Sequence, residues 1–212
     1  MALLKKSLGD IIGVPAMQGE ELGFVLMRII RTKHPVTWSE VFKGFYTNFS
    51  ITAEEVLACD FSKENILFGP VHTSLDFNKY FGKTKWPILA HDTSAEVDQA
   101  DNPDIEFASH DYFSSGIYYK AEKDYFNPPD QRREIEDNLI YSNPQLIRRI
   151  NLHLSGYLKP GRKWSYIVGQ ELVRDQALRD SAGKAWPEAD MDHCLLVAEE
   201  VAQKFKLARK KK

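Results

Sequence analysis

The chain of 212 residues has few cysteines and lacks long apolar runs. Its two cysteines, Cys59 and Cys194, lie too far apart in sequence to suggest a disulfide framework, so each is expected to be a buried, unpaired thiol. No stretch approaches the ~20 apolar residues that a membrane-spanning helix needs. The opening MALLKKSLGD has too short an apolar run for a secretory signal. These absences predict a soluble, cytoplasmic protein that does not bind membranes.

Sequence motifs of common catalytic sites are also missing. The glycines at positions 9, 13, 19 and 23 do not match the phosphate-binding GxGxxG pattern, and no GxSxG elbow occurs. His91-Asp92 and His110-Asp111 are His-Asp pairs of the kind that metal-dependent phosphohydrolases use, but neither has a histidine partner on a helix. We therefore expect no enzyme, no cofactor and no metal. A metal-dependent hydrolase that uses these four residues is kept as the third hypothesis.

Residues 8–31 are strongly apolar and predict a β-hairpin. Apolar residues occupy both alternation classes, which indicates strands that are covered on both faces at the centre of a domain. The turn is expected near Gly19, since glycine accepts a positive φ that other residues resist. Glycines within the strands favour bends or bulges, as in a small curled sheet or barrel.

Two tetrapeptides match the capping box that starts a helix. They are Thr37-Trp38-Ser39-Glu40 and Thr52-Ala53-Glu54-Glu55, in which the hydroxyl and the glutamate satisfy each other's backbone amides. Strands are predicted over residues 66–71 and 85–90, and short strands near 105–107 and 116–120.

From residue 127 the pattern becomes helical. A helix is predicted over residues 144–155, closed by Gly156, and a last helix begins near Asp190. The inward stripe of the last helix is expected to be Met191, Leu195, Ala198, Ala202 and Phe205. The fold class is therefore α+β: a small, strongly bent antiparallel β-sheet or barrel with short helices, followed by a C-terminal helical region.

The charge balance differs between the two parts of the chain. Residues 1–126 carry 12 lysines and arginines against 18 acids, a net charge of −6, whereas residues 127–212 carry 16 against 12, a net charge of +4. We therefore expect a β-rich domain over 1–126 and a helical extension packed on it over 127–212. The extension ends in the basic tail Arg209-Lys210-Lys211-Lys212.

The acidic segment, residues 92–111, contains seven acids and no lysine or arginine. The simpler interpretation is a hydrated loop held open by self-repulsion. The alternative is a contact surface for a basic partner, because clustered acids raise the rate of association with a positive cleft. The residues predicted to bind a partner are the seven acids and one neighbouring tyrosine: Asp92, Glu96, Asp98, Asp101, Asp104, Glu106, Asp111 and Tyr112.

The second hypothesis is a nucleic-acid-associated or regulatory protein that uses the basic helical half. Five bases could form a patch for phosphates: Arg148, Arg149, Arg162, Lys163 and Arg174. The opposite charge of residues 1–126 argues against a generic nucleic-acid binder. Such binding would weaken steeply with added salt.

Several short motifs follow one another in an order that resembles a known family. Gly9-Asp10, an apolar pair, Pro15, a glycine-bearing turn and Gly23-Phe24-Val25 resemble the opening of the immunity protein 26 family of bacterial polymorphic toxin systems. The predicted helix over residues 52–59, which leads into the predicted strand over 66–71, fits the family in the same order.

Lys85-Trp86-Pro87-Ile88-Leu89 is similar to the tryptophan-proline-isoleucine step of the same family. The resemblance covers about residues 7–125. The chain departs from the family where Ala90 stands in place of a glycine, and its helical region 127–212 is longer than the family implies. The resemblance implies a binding protein without catalytic residues, which inhibits a cognate protein toxin domain.

Overall fold

The computed structural model describes residues 7–33, 36–74, 86–94, 108–110, 117–119, 140–141, 143–156 and 191–210. The strands are β1 (Asp10–Gln18), β2 (Glu21–Lys33), β3 (Val36–Phe42), β4 (Ile66–Ser74), β5 (Ile88–His91), β6 (Ala108–His110), β7 (Ile117–Tyr119) and β8 (Ile140–Tyr141). The helices are α1 (Ala53–Leu57), α2 (Asn143–Leu154) and α3 (Met191–Lys210), and a 3₁₀ turn spans Lys63–Asn65. None of these helices is long and apolar enough to cross a membrane.

One sheet organises the described residues. Its strand order is β5-β1-β2-β3-β4-β8; the first five strands are antiparallel to their neighbours, and β8 is parallel to β4. Strands β6 and β7 form a separate antiparallel pair. The ladders shift register at three strand junctions, which bends the sheet. The α+β prediction is confirmed by this sheet and its helices.

The hairpin of β1 and β2 lies inside the sheet, as its two-faced apolar pattern predicted. Val14 pairs with Val25, and the turn uses Gly19 with a φ of +63°. Ile11 and Ile12 point to opposite faces, yet both are fully buried. Both faces of the hairpin are therefore covered, and its apolar residues drive folding by leaving water.

The two capping-box motifs have different outcomes. Thr52 caps α1 as predicted: its Oγ1 accepts from the amide of Glu55, and the Glu55 carboxylate accepts from the amide of Thr52. The helix predicted at Thr37 is wrong, because residues 36–42 form β3 between β2 and β4. Pairing with two strands gives hydrogen-bond partners to backbone N–H and C=O groups that would be unpaired at the ends of a short helix.

Strand pairing also buries three hydroxyl groups. Thr37, Ser39 and Thr73 are fully buried, and the Thr73 hydroxyl lies 2.6 Å from that of Thr37 and 3.2 Å from that of Ser39. Each hydroxyl can donate and accept, so the group satisfies itself inside the protein.

Helix α2 is buried on nearly all sides, beyond the single apolar stripe that was predicted. Arg149 is fully buried and lies 3.9 Å from the centroid of the Phe68 ring. The side-chain carbonyl of Asn151, also fully buried, accepts a hydrogen bond from the amide of Met17 in β1. Gly156, with a φ of +78°, ends the helix as expected.

Helix α3 contributes the other part of the helical layer. Its buried face consists of Cys194, Val197, Ala198, Val201 and Phe205. The predicted stripe shared Ala198 and Phe205 with this face, but Leu195 and Ala202 are only partly buried, so the real face is rotated by about one residue.

Both helices share the apolar core of the sheet. Phe205 of α3 lies 4.9 Å from Phe24 of β2 and 5.1 Å from Phe49, measured between ring centroids. Leu146, Ile147 and Ile150 of α2 belong to the same apolar cluster, which forms one continuous core with the sheet residues. The predicted domain boundary at residues 126 and 127 falls outside the described residues and stays a prediction.

Candidate partner-binding site

The acidic segment begins at one end of the sheet. Its first residue, Asp92, directly follows β5, and its amide donates to the carbonyl of Gly9 over 2.8 Å. The amide of Gly9 donates in turn to Ile29 of β2. Gly9 has a φ of +81°, and a Cβ at this position would overlap the carbonyl oxygen of Asp92. The start of the acidic segment is therefore held against the sheet by its backbone.

The carboxylate of Asp92 accepts hydrogen bonds from two neighbours. One oxygen accepts from the amide and hydroxyl of Ser94, at 3.0 and 2.6 Å, and the other from Nη1 of Arg28 at 3.0 Å. Burial opposes the charged form, but the hydrogen bonds from Ser94 and Arg28 outweigh it and lower the pKa of Asp92 below its usual value. Asp92 is therefore ionised at neutral pH.

Arg28 is the shared cation of two carboxylates. The β2–β3 register places it directly opposite Glu40, with 3.1 Å between Nη2 and Oε2. Its guanidinium also lies within cation–π range of the rings of Phe42 and Phe61. The three charged side chains are only 12%, 14% and 16% exposed for Arg28, Asp92 and Glu40. At that burial an ion pair is screened less than at the surface.

His91 points to a different partner from its neighbour Asp92. Its Nδ1 lies 3.0 Å from Oδ1 of Asp10, which the β1–β5 register places opposite it. The other oxygen of Asp10 accepts from the amide of Ser7 at 2.8 Å. The imidazole is 40% exposed, whereas the carboxylate is 7% exposed. The pair therefore joins the edge strand to β1, with the imidazole more exposed than the carboxylate.

The metal hypothesis required His91 and Asp92 to act together with His110 and Asp111. Residues His91 and Asp92 direct their side chains to Asp10 and to Arg28 respectively. Among the described residues, no group of three or more histidine, cysteine or acidic side chains is arranged to hold a metal ion. The backbone of His110 lies in β6, and Asp111 is outside the described residues.

Of the eight residues predicted to bind a partner, the structure describes Asp92. The other seven lie outside the described residues: Glu96, Asp98, Asp101, Asp104, Glu106, Asp111 and Tyr112. Asp92 itself is engaged with Arg28 and Ser94, so its role is to fix the start of the segment. The contact surface proposed for the other acids stays a prediction.

A small pocket lies beside β5, on the strand that leads to Asp92. It has a volume of about 130 Å³ and is lined by residues from the edge strand, the 49–51 segment and the end of α3: Phe49, Ser50, Ile51, Ile88, Leu89, Phe205, Ala208 and Arg209. Most of these side chains are apolar, and Arg209 adds one positive charge at the wall. The pocket could accept one apolar side chain of a partner.

The structure describes two of the five residues of the basic patch in the second hypothesis, and both are buried. Arg149 is fully buried and Arg148 is 8% exposed, so neither guanidinium lies on an open surface for phosphates. The other three residues of that patch, Arg162, Lys163 and Arg174, are outside the described residues.

The two cysteines do not form a disulfide, and they differ in burial. Cys194 is fully buried as expected, whereas Cys59 is only partly buried, and the hydroxyl of Tyr46 donates to its sulfur over 3.4 Å. Burial, with the contact to Cys59, raises the pKa of Tyr46, so this hydroxyl keeps its proton.

The sequence motifs did not predict the ion pairs of Arg28 with Asp92 and Glu40, or the His91–Asp10 pair. One signal was present: Arg28 is a single charge in the otherwise apolar run from Phe24 to Ile30. A cation in a strand covered on both faces needs an anion nearby. One of its anions is Asp92, 64 residues away in sequence, and that pairing depends on the sheet order.

Comparison with protein-family models finds no match, and comparisons with curated proteins and with solved structures find none either. The resemblance to the immunity protein 26 family therefore stays a hypothesis.

Proposed function

We propose that this chain is a non-enzymatic binding protein, an immunity protein that binds and neutralises a cognate bacterial toxin domain in the cytoplasm. The observation that carries the proposal is the anchoring of the acidic segment at the sheet edge by Arg28 and Gly9. A cluster of acids that starts from a fixed point presents its charge in a limited region, which favours capture of a basic surface.

The resemblance in residues 7–125 supports the same function, because it implies inhibition by occlusion of a toxin.

The pocket beside β5 adds a second contact of a different kind. Ile88 and Leu89 line it, and Asp92 follows three residues after Leu89, about 10 Å along an extended chain. A partner held by the acidic segment could therefore place an apolar side chain in the pocket. Buried apolar anchors carry much of the affinity in protein interfaces, while surrounding charges mainly set the association rate.

The test uses the C-terminal domain of the large secreted protein expected immediately upstream in the genome. We expect the two purified proteins to form a stable complex and the toxin activity to be lost. Reversing the charges of Asp98, Asp101 and Asp104 to lysine should weaken the complex at least about ten-fold at low salt, mainly through slower association.

A matched control reverses three exposed glutamates elsewhere: Glu20, Glu21 and Glu64. This control changes the net charge equally, so it separates an effect of the acidic segment from one of total charge. Equal affinities for the two triple variants would contradict the acidic contact. A missing upstream toxin gene, or no complex with its product, would contradict the proposed function as a whole.

A further inference from the structure

The outer face of α3 exposes two leucines that share one stripe. Leu196 is 55% exposed and Leu207 is 59% exposed, although most of the large apolar side chains of the described residues are buried. They are eleven residues apart, which is three helical turns, or about 16 Å along the axis. The buried face of α3, with Cys194, Val201 and Phe205, lies on the opposite side.

The charges beside this stripe are divided along the helix. Exposed Glu199 and Glu200 lie in its N-terminal half, and exposed Lys206 and Lys210 lie in its C-terminal half. Glu199 and Lys206 are seven residues apart, so they occupy the same flank of the leucine stripe two turns from each other. The outer face is therefore apolar at two points and opposite in charge at its two ends.

We infer that this face is the contact surface for a second copy of the chain. The two α3 helices run antiparallel, and the two-fold axis crosses them at the level of Ala202, midway between Leu196 and Leu207. An antiparallel pair places Leu196 against Leu207 of the partner subunit, and the symmetry repeats the contact at the other end. The same pairing brings Glu199 to Lys206 of the partner subunit, again twice. Each surface is thus complementary to itself.

The alternative orientations fit the charges less well. In a parallel pair, the acidic N-terminal halves would lie side by side and so would the basic C-terminal halves, which juxtaposes like charges at both ends. A helix from an unrelated protein would have to reproduce the reversed order of charges by coincidence, whereas a second copy supplies it by symmetry.

The size of the face sets the expected strength. Two leucines from each copy and one helix of 20 residues cover less than the ~1,200 Å² of a standard interface. The dimer is therefore reversible, and it dissociates on dilution in the micromolar range, about 10 to 100 μM.

Sedimentation velocity of the full chain over a range of concentrations tests this arrangement. We expect the wild type to pass from monomer to dimer as concentration rises. Glu199→Lys and Lys206→Glu should each raise the dimer dissociation constant about ten-fold, because each turns two attractions into repulsions. The double variant Glu199→Lys with Lys206→Glu restores opposite charges and should recover the wild-type constant.

Two further variants complete the test. Leu207→Ser should abolish the dimer, and Leu57→Ser, which alters a leucine on α1 that is 46% exposed, should leave it unchanged. All these positions are exposed, so circular dichroism should show an intact fold. A wild type that stays monomeric at the highest concentration would overturn the inference. A dimer dissociation constant that the single reversals leave unchanged would also overturn it. So would a double variant that dimerises as weakly as either single variant.

Discussion

Replacing Arg28 by methionine tests whether the ion cluster fixes the start of the acidic segment. Methionine retains an unbranched stem that can pack against Phe42 and Phe61, but it removes the guanidinium that lies 3.0 Å from Asp92 and 3.1 Å from Glu40. Two carboxylates that are 14% and 16% exposed then lose their shared cation. The variant therefore isolates the charge from most of the packing.

The magnitude follows from this burial. Removing one partner of a fully buried pair costs about 3–5 kcal/mol, and the partial exposure of these groups to water reduces the loss to about 2–3 kcal/mol. For a chain of this length, such a loss lowers the melting temperature by about 4–12 °C. Urea unfolding followed by circular dichroism should show a lower midpoint with an unchanged slope.

Arg31→Met provides a matched control on the same strand. The Arg31 side chain is exposed and lies 5.1 Å from the Trp38 ring centroid, so its removal should cost less than about 1 kcal/mol. If Arg28→Met is no more destabilising than Arg31→Met, the cluster does not stabilise the fold and the argument for an anchored segment fails.

The remaining predictions concern Gly9 and Asp92. Gly9→Ala should destabilise the fold by about 2–4 kcal/mol, since it combines a positive φ with overlap at the Asp92 carbonyl. Gly156→Ala, with a φ of +78° and no neighbour within 4 Å, should cost only about 1 kcal/mol. Urea midpoints of the two variants provide the comparison, and equal losses would contradict the steric argument. The folded-state pKa of Asp92 is lowered, so its contribution to stability is complete above the ordinary carboxyl value of 3.8 and is lost as pH falls through the folded-state pKa. The stability gap between the wild type and Asp92→Asn should therefore be constant near neutral pH and shrink below about pH 4, and a gap that widens there would refute the assigned direction.

Local signals were reliable where neighbours in sequence also determine the structure. Thr52 and Glu55 satisfy each other's amides within one turn, and Gly19 supplies the positive φ that the hairpin turn needs. Gly156 does the same at the end of α2. In each case the atoms that decide the conformation are within a few residues, so the sequence is enough to predict it.

Local motifs did not predict the structure where distant segments compete for a residue. The motif at Thr37 has the capping pattern of Thr52, but β2 and β4 offer it a full set of strand partners. The candidate site shows the same limit, because Asp92 was predicted from composition while its partner Arg28 was not.

Alternation, capping and composition are local properties, so they were enough to predict the central hairpin, the α+β class and a concentrated acidic segment. They did not predict that residues 36–42 are a strand, that Arg149 is buried on Phe68, or that Asp92 is tied to Arg28. These outcomes depend on which strands become neighbours, since a hydrogen bond or an ion pair forms only between groups that the fold brings within about 3 Å.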